Sequence, residues 1–146
     1  MKELIKLASE GKINNRASIR DSQAIIIQAP VKKVWDYLAD TSNWPNTKNS
    51  FSTPVKPDNT FSYYRHGQTF KGTFHLCVES RELSWTAKTT GLKLIHCWHL
   101  EAPESNQTIV TSEESLQGIR TLTISHEKFH KSLIKWIENI RQETEE

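Results

Sequence analysis

Two hydrophobic rhythms divide the sequence. From Thr69 to Val78 apolar and polar positions alternate, with Phe70, Gly72, Phe74 and Leu76 on one side and Lys71, Thr73, His75 and Cys77 on the other. That two-residue period predicts a strand with one buried face. Near the C-terminus the period changes. Leu122, His126, Phe129, Leu133, Trp136, Ile137 and Ile140 recur at three- and four-residue steps, which predicts one long helix over 121–141 with a single apolar face. Thr121 is its expected N-cap. About twenty residues at roughly 1.5 Å each make a rod near 30 Å, so the face needs a partner of that length.

The rest of the pattern supplies one. Residues 1–10 predict a short helix, with Leu4, Ile5, Leu7 and Ala8 as a weak apolar side, and 1–12 is read as an N-terminal extension. Ile13 to Asp21 reads as an extended polar lead-in. Ser22 to Gln28, with three consecutive isoleucines, predicts the first strand. Pro30 then opens a helix with Val31, Val34, Trp35 and Leu38 as its stripe, and Trp44-Pro45 lies in a second short helical turn. Further strands are predicted at 51–55, 61–65, 69–78, 83–89, 92–101 and 108–117. Lys56-Pro57-Asp58-Asn59, His66-Gly67, Ser80-Arg81-Glu82 and Thr90-Gly91 are the turns. Short consecutive strands with tight turns predict an antiparallel meander that closes around the long helix, an α+β architecture.

Composition narrows the function classes. The 146 residues are most simply one domain, 1–146, long enough for a real core. The 19 basic residues are scattered and nearly balanced by 17 acidic ones, so no nucleic-acid footprint is expected. No apolar run approaches a membrane span, and stable membrane insertion is not expected. The N-terminus carries an early acid and no long apolar segment, unlike a secretory signal. Cys77 and Cys97 make no disulfide framework, and a reduced cytoplasmic setting is the default.

The sequence resembles the START-like superfamily, also called SRPBCC, in its polyketide cyclase/dehydrase and lipid-transport branch. The residues that carry the resemblance are Ile27 through Trp35, Asp40 through Pro45, Glu82 through Lys88, and Val110 through Ser115. Their order, more than any one motif, makes the match, and it covers roughly residues 13–141. The resemblance implies a helix-grip fold: a curved seven-stranded antiparallel sheet wrapped around a long C-terminal helix, two short helices between the first and second strands, and a cavity between sheet and helix. It implies binding of a lipid, polyketide-like or aromatic molecule. It transfers no catalytic residue.

Three constellations bear on chemistry. If Thr90-Gly91 is the hairpin loop, Trp85 pairs with His96. Both then point inward with Trp98, and Glu114 lies on the adjoining strand unless the register makes Glu113 the inward acid. One imidazole and one carboxylate on an aromatic surface suit an apolar ligand with a polar end, or acid–base chemistry by His96 or Glu114 if burial raises the glutamate pKa. Trp35, Tyr63, Phe74, Ser112, Phe129 and Leu133 complete the expected ligand lining, with Trp44, Phe61 and Phe70 beside them. The second constellation, His126-Glu127-Lys128-Phe129-His130, fits the zinc-hydrolase string H-E-x-x-H. Leu133 stands where the extended motif needs glycine, and too little chain follows for a ligand on a further helix. The string is therefore read as helix edge, with no metal. The third, His75-Leu76-Cys77 with Cys97-Trp98-His99, would be split by an intervening strand, near 10 Å apart, too far for one tetrahedral zinc.

The expectation is a binder of a small apolar molecule, with no cofactor, as a monomer or homodimer. The alternatives are a cyclase or dehydratase using the same pocket, and a protein-interaction module.

Overall fold

A computed structural model describes residues 1–45 and 53–146. Helix α1 spans Lys2–Ser9 and strand β1 spans Ile19–Ile27. Helix α2 spans Val31–Leu38, and a 3-10 turn covers Thr41–Asn43. The meander follows as β2 (Thr60–Arg65), β3 (Gln68–Val78), β4 (Glu82–Thr89), β5 (Leu92–Glu104) and β6 (Gln107–Gln117). A second 3-10 turn, Ile119–Thr123, leads into helix α3, His126–Thr144.

Among the described residues the sheet has six antiparallel strands in the order β1-β6-β5-β4-β3-β2. The expected seventh, at 51–55, does not appear where the structure describes it. Phe51 and Ser52 lie outside the described residues, and Thr53 to Val55 is irregular. Pro54 has no N–H for a ladder, and the Thr53 N–H donates instead to Thr41 Oγ1 at 2.8 Å.

The inward face of the sheet packs against α2 and α3. Phe129, Leu133, Trp136, Ile137 and Ile140 of α3 are buried in one core with Phe70, Phe74, Trp85, Trp98 and Leu116. The helix starts later than the sequence suggested. Ser125, not Thr121, is the N-cap, and its side chain accepts from the Lys128 N–H at 3.2 Å. The Thr121 hydroxyl instead donates to Gly118 O, closing the 3-10 turn. Leu122 and His126 therefore fall outside the buried stripe and are exposed.

The outward face is also partly covered. Leu4 and Ala8 of α1 pack with Ile13, Ile95 and Cys97 in a second small core, and the Ser84 hydroxyl donates to Ala8 O. The N-terminal helix thus packs on the outward face of the sheet. Ile5, expected on the apolar side, is exposed. Strand β1 begins at Ile19, inside the expected lead-in, because Ile19 pairs with Leu116 and is buried beside it.

Candidate functional site

The hairpin turns set the register of the site. Thr90-Gly91 joins β4 to β5 with Gly91 at φ 76°, and Trp85 faces His96. His96 in turn faces Glu114, and Glu114 faces Asp21. Phe74, Trp85, His96 and Glu114 therefore form one inward row across four strands. The next inward pair is Trp98 and Ser112. Glu113 points outward, where His99 Nε2 lies 3.7 Å from it. The inward acid is Glu114.

All ten residues expected to line the site are buried: Trp35, Tyr63, Phe74, Trp85, His96, Trp98, Ser112, Glu114, Phe129 and Leu133. Most meet around two indoles. Trp136 of α3 lies 5.1 Å from the His96 ring, 5.2 Å from Trp98 and 6.1 Å from Trp85. Trp44 stacks on Trp85 at 4.5 Å and packs edge-on against Phe61, Tyr63 and Phe74. Trp85 Nε1 donates to Tyr63 Oη at 3.2 Å. Phe129 stacks on the His66 ring. Trp35 and Leu133 belong to the same core without a polar contact to this group.

The polar centre is richer than the sequence suggested. Arg65 Nη2 donates to Glu114 Oε1 at 2.7 Å, and His66 Nε2 lies 3.0 Å from Glu114 Oε2. A carboxylate only accepts, so His66 is the donor. His96 Nδ1 is 3.7 Å from the same oxygen, and its Nε2 bonds Ser112 Oγ at 2.8 Å. Arg65 Nη1 donates to Ser132 Oγ on α3 at 2.9 Å, and its guanidinium carbon sits 4.9 Å over Trp136. Arg65 and His66 were missed in the sequence. The alternation Phe61, Tyr63, Arg65 places an arginine on the inward side of β2, and that was the available signal. His66 was read only as a turn residue, which it also is, with φ 53° before Gly67 at φ 77°.

These contacts set the charges. Burial alone pushes the Glu114 carboxyl up, but Arg65, His66 and His96 outweigh it and hold it well below the usual carboxylate range. Burial, with Arg65 and His66 adding to it against the pull of Glu114, lowers His96 to about 3. At neutral pH the site therefore holds an ionised glutamate clamped by an arginine beside a neutral imidazole. Among the described residues three buried side-chain nitrogens have no hydrogen-bond partner: Arg65 Nε, His96 Nδ1 and Trp98 Nε1. All three belong to side chains packed on the Trp136 ring.

The other constellations resolve differently. His130 Nδ1 bonds Asp21 Oδ2 at 2.7 Å, with Gln23 alongside, while His126 is exposed. A bulge between Phe74 and Leu76 breaks the alternation of β3. His75 stays outward on Thr86, but Cys77 turns inward opposite Leu83. His75 and Cys77 do not share a face, and Cys97 is sealed under α1. Among the described residues no three His, Cys, Asp or Glu side chains gather as a metal site.

No protein-family model matches the sequence, and no curated protein matches it. Solved structures do. A hypothetical protein from Helicobacter pylori superposes with a TM-score of 0.76 at 18% identity, over 89% of this chain and 90% of that one. DynU16, a protein of the dynemicin biosynthetic locus, gives 0.66 at 14% identity over 84% of this chain and 46% of its own. The Aha1 dimer from Colwellia psychrerythraea gives 0.65 at 13% identity, over 87% and 96%. At these identities the likeness shows the fold alone: an antiparallel sheet with a long helix against it.

Proposed function

We propose that the protein binds a small, largely apolar molecule between the inward sheet face and α3, and that the molecule carries a hydrogen-bond acceptor. The three unpartnered buried nitrogens carry this reading. A buried polar group without a partner costs about 1–3 kcal/mol, and three around one indole are a standing cost in an interior that otherwise pairs its polar atoms. Arg65 Nε and Trp98 Nε1 are donors only, and His96 Nδ1 donates in one tautomer. A carbonyl, hydroxyl or carboxylate oxygen offers what they lack. The surrounding tryptophans supply apolar contact worth about 25 cal/mol per Å² buried.

Acid–base catalysis in the same place fits less well. A cyclase or dehydratase needs a group that exchanges a proton near neutrality. Glu114 is held ionised by Arg65, and His96 is held neutral by burial.

The test is Trp98→Phe. It removes the indole N–H and keeps an aromatic ring, so the fold survives. Fluorescence titration with apolar carbonyl compounds, read on the remaining tryptophans, is expected to show about tenfold weaker binding than wild type, one buried hydrogen bond's share. Equal affinity in both proteins would show that the indole N–H makes no contact with ligand and would remove the reading's support.

A further inference from the structure

The antiparallel meander sorts its turns to two ends of the molecule, and the two ends differ in charge. The β2–β3 turn, the β4–β5 turn and the 3-10 turn after β6 share one end. Arg120 ties them together: its backbone N–H donates to Gly91 O, and its guanidinium reaches Gln68 Oε1 and Thr90 O, each at 3.2 Å. No aspartate or glutamate lies between Asp58 and Glu79, between Glu82 and Glu101, or between Glu114 and Glu127. Those three intervals contain the turns at this end. Glu79, Glu82, Glu101, Glu104 and Glu145 belong to the opposite end.

Bases collect where acids are missing. Lys71 pairs with Lys88, and Lys88 with Lys93, so three lysines stand side by side on the outward face of neighbouring strands. Strands are about 4.8 Å apart, and like charges directly opposite destabilise a sheet. All three are exposed, and none has an ion-pair partner among the described residues. Lys93 also faces Gln117, which precedes the 3-10 turn.

That turn presents the most exposed large apolar side chains of the described residues, Ile119 at 79% and Leu122 at 87%. In a 3-10 helix residues i and i+3 eclipse, so the two project on the same side. Tyr64, outward on β2 beside the turn, is also exposed.

We propose that this end of the molecule docks on an anionic lipid bilayer, with Ile119 and Leu122 entering the interface and Lys71, Lys88, Lys93 and Arg120 facing the headgroups. Two separate protruding aliphatics flanked by unpaired cations suit a fluid, negatively charged surface, where no matching pocket is required. Docking of this kind is peripheral and needs no spanning helix; among the described residues no helix is long and apolar enough to cross a membrane. The proposal stands independently of the ligand site, since every residue in it lies outside the buried cluster.

Cosedimentation with phosphatidylcholine vesicles, with and without phosphatidylglycerol, tests it on the intact chain. Wild type is expected to pellet with the anionic vesicles only, and to be released by added salt. Ile119→Ser with Leu122→Ser should weaken binding by about tenfold or more for each side chain. Lys88→Gln and Lys93→Gln should each weaken it by about fivefold. These side chains are exposed, so the variants should melt as wild type does. Four results would overturn the proposal, the first three being no pelleting, pelleting that the double serine variant retains, and a wild-type homodimer in light scattering that the serine variant breaks. Binding to polyglutamate as strong as to the vesicles would overturn it in favour of an acidic protein partner.

Discussion

Glu114 is the residue on which the interior turns. Its neighbours decide its charge: Arg65 and His66 bond its two oxygens, and His96 stands within 4 Å. A pH dependence follows. An unfolded histidine takes up a proton near 6.5, whereas His96 in the folded protein holds off to about 3. Between those values the unfolded chain binds the extra proton, so stability falls as pH drops, by up to about 1.4 kcal/mol per pH unit per proton. Glu114 acts in the same direction at lower pH. Its folded pKa lies well below 4.5, so its contribution is whole above the unfolded value and is lost as pH falls through the folded one. Urea midpoints are therefore expected to decline from pH 6.5 downward, and His96→Gln to flatten the slope between pH 6.5 and 4.5. A wild-type midpoint constant over that range would contradict the assignment. Here the sequence was partly legible. Trp85 opposite His96 could be counted back from Thr90-Gly91, because a two-residue loop fixes the register. Arg65 was not found, because an arginine in a strand is ordinarily read as an outward residue.

At the scale of elements, regular periodicity was legible and its interruptions were not. Strands β4 and β5 followed from their two-residue patterns, and most of helix α3 from its three-to-four-residue pattern. The bulge in β3 inserts one residue without any glycine or proline to mark it, so Cys77 changed face. Helix α3 lost its first turn because the Thr121 hydroxyl bonds backward to Gly118 O, leaving Ser125 to cap. Helix α1 has only a weak apolar side in the sequence, and of its four apolar residues Leu4 and Ala8 are the buried ones. Yet Leu4 and Ala8 cover Ile95 and Cys97 on the outward face of the sheet. Cys97 is consequently inert, its thiol pushed up by burial. Leu4→Ala removes a buried side chain at a cost of about 2–5 kcal/mol, most of it falling on the docking of α1. Labelling of Cys97 by a thiol reagent is expected to accelerate at least tenfold in that variant, well ahead of global unfolding. An unchanged labelling rate would mean that α1 does not guard the sheet.

The whole molecule combines an aromatic interior with a polarised exterior. Sheet and helix bury one carboxylate, one guanidinium and two imidazoles under tryptophans, while one end of the surface carries three adjacent lysines and exposed aliphatics. The order of elements was legible because each announces itself locally. The buried charge cluster was legible only in its β5–β6 half, His96 and Glu114, since Arg65 and His66 come from β2 and its turn, far off in the chain. On the proposed reading this cluster receives the polar end of an apolar ligand. Native mass spectrometry on the protein purified from cell extract, with nothing added, tests it most directly. A noncovalent added mass on the order of a few hundred daltons is expected, lost on denaturation and depleted in Trp98→Phe. A bare polypeptide mass, or an adduct that Trp98→Phe retains in full, would contradict it.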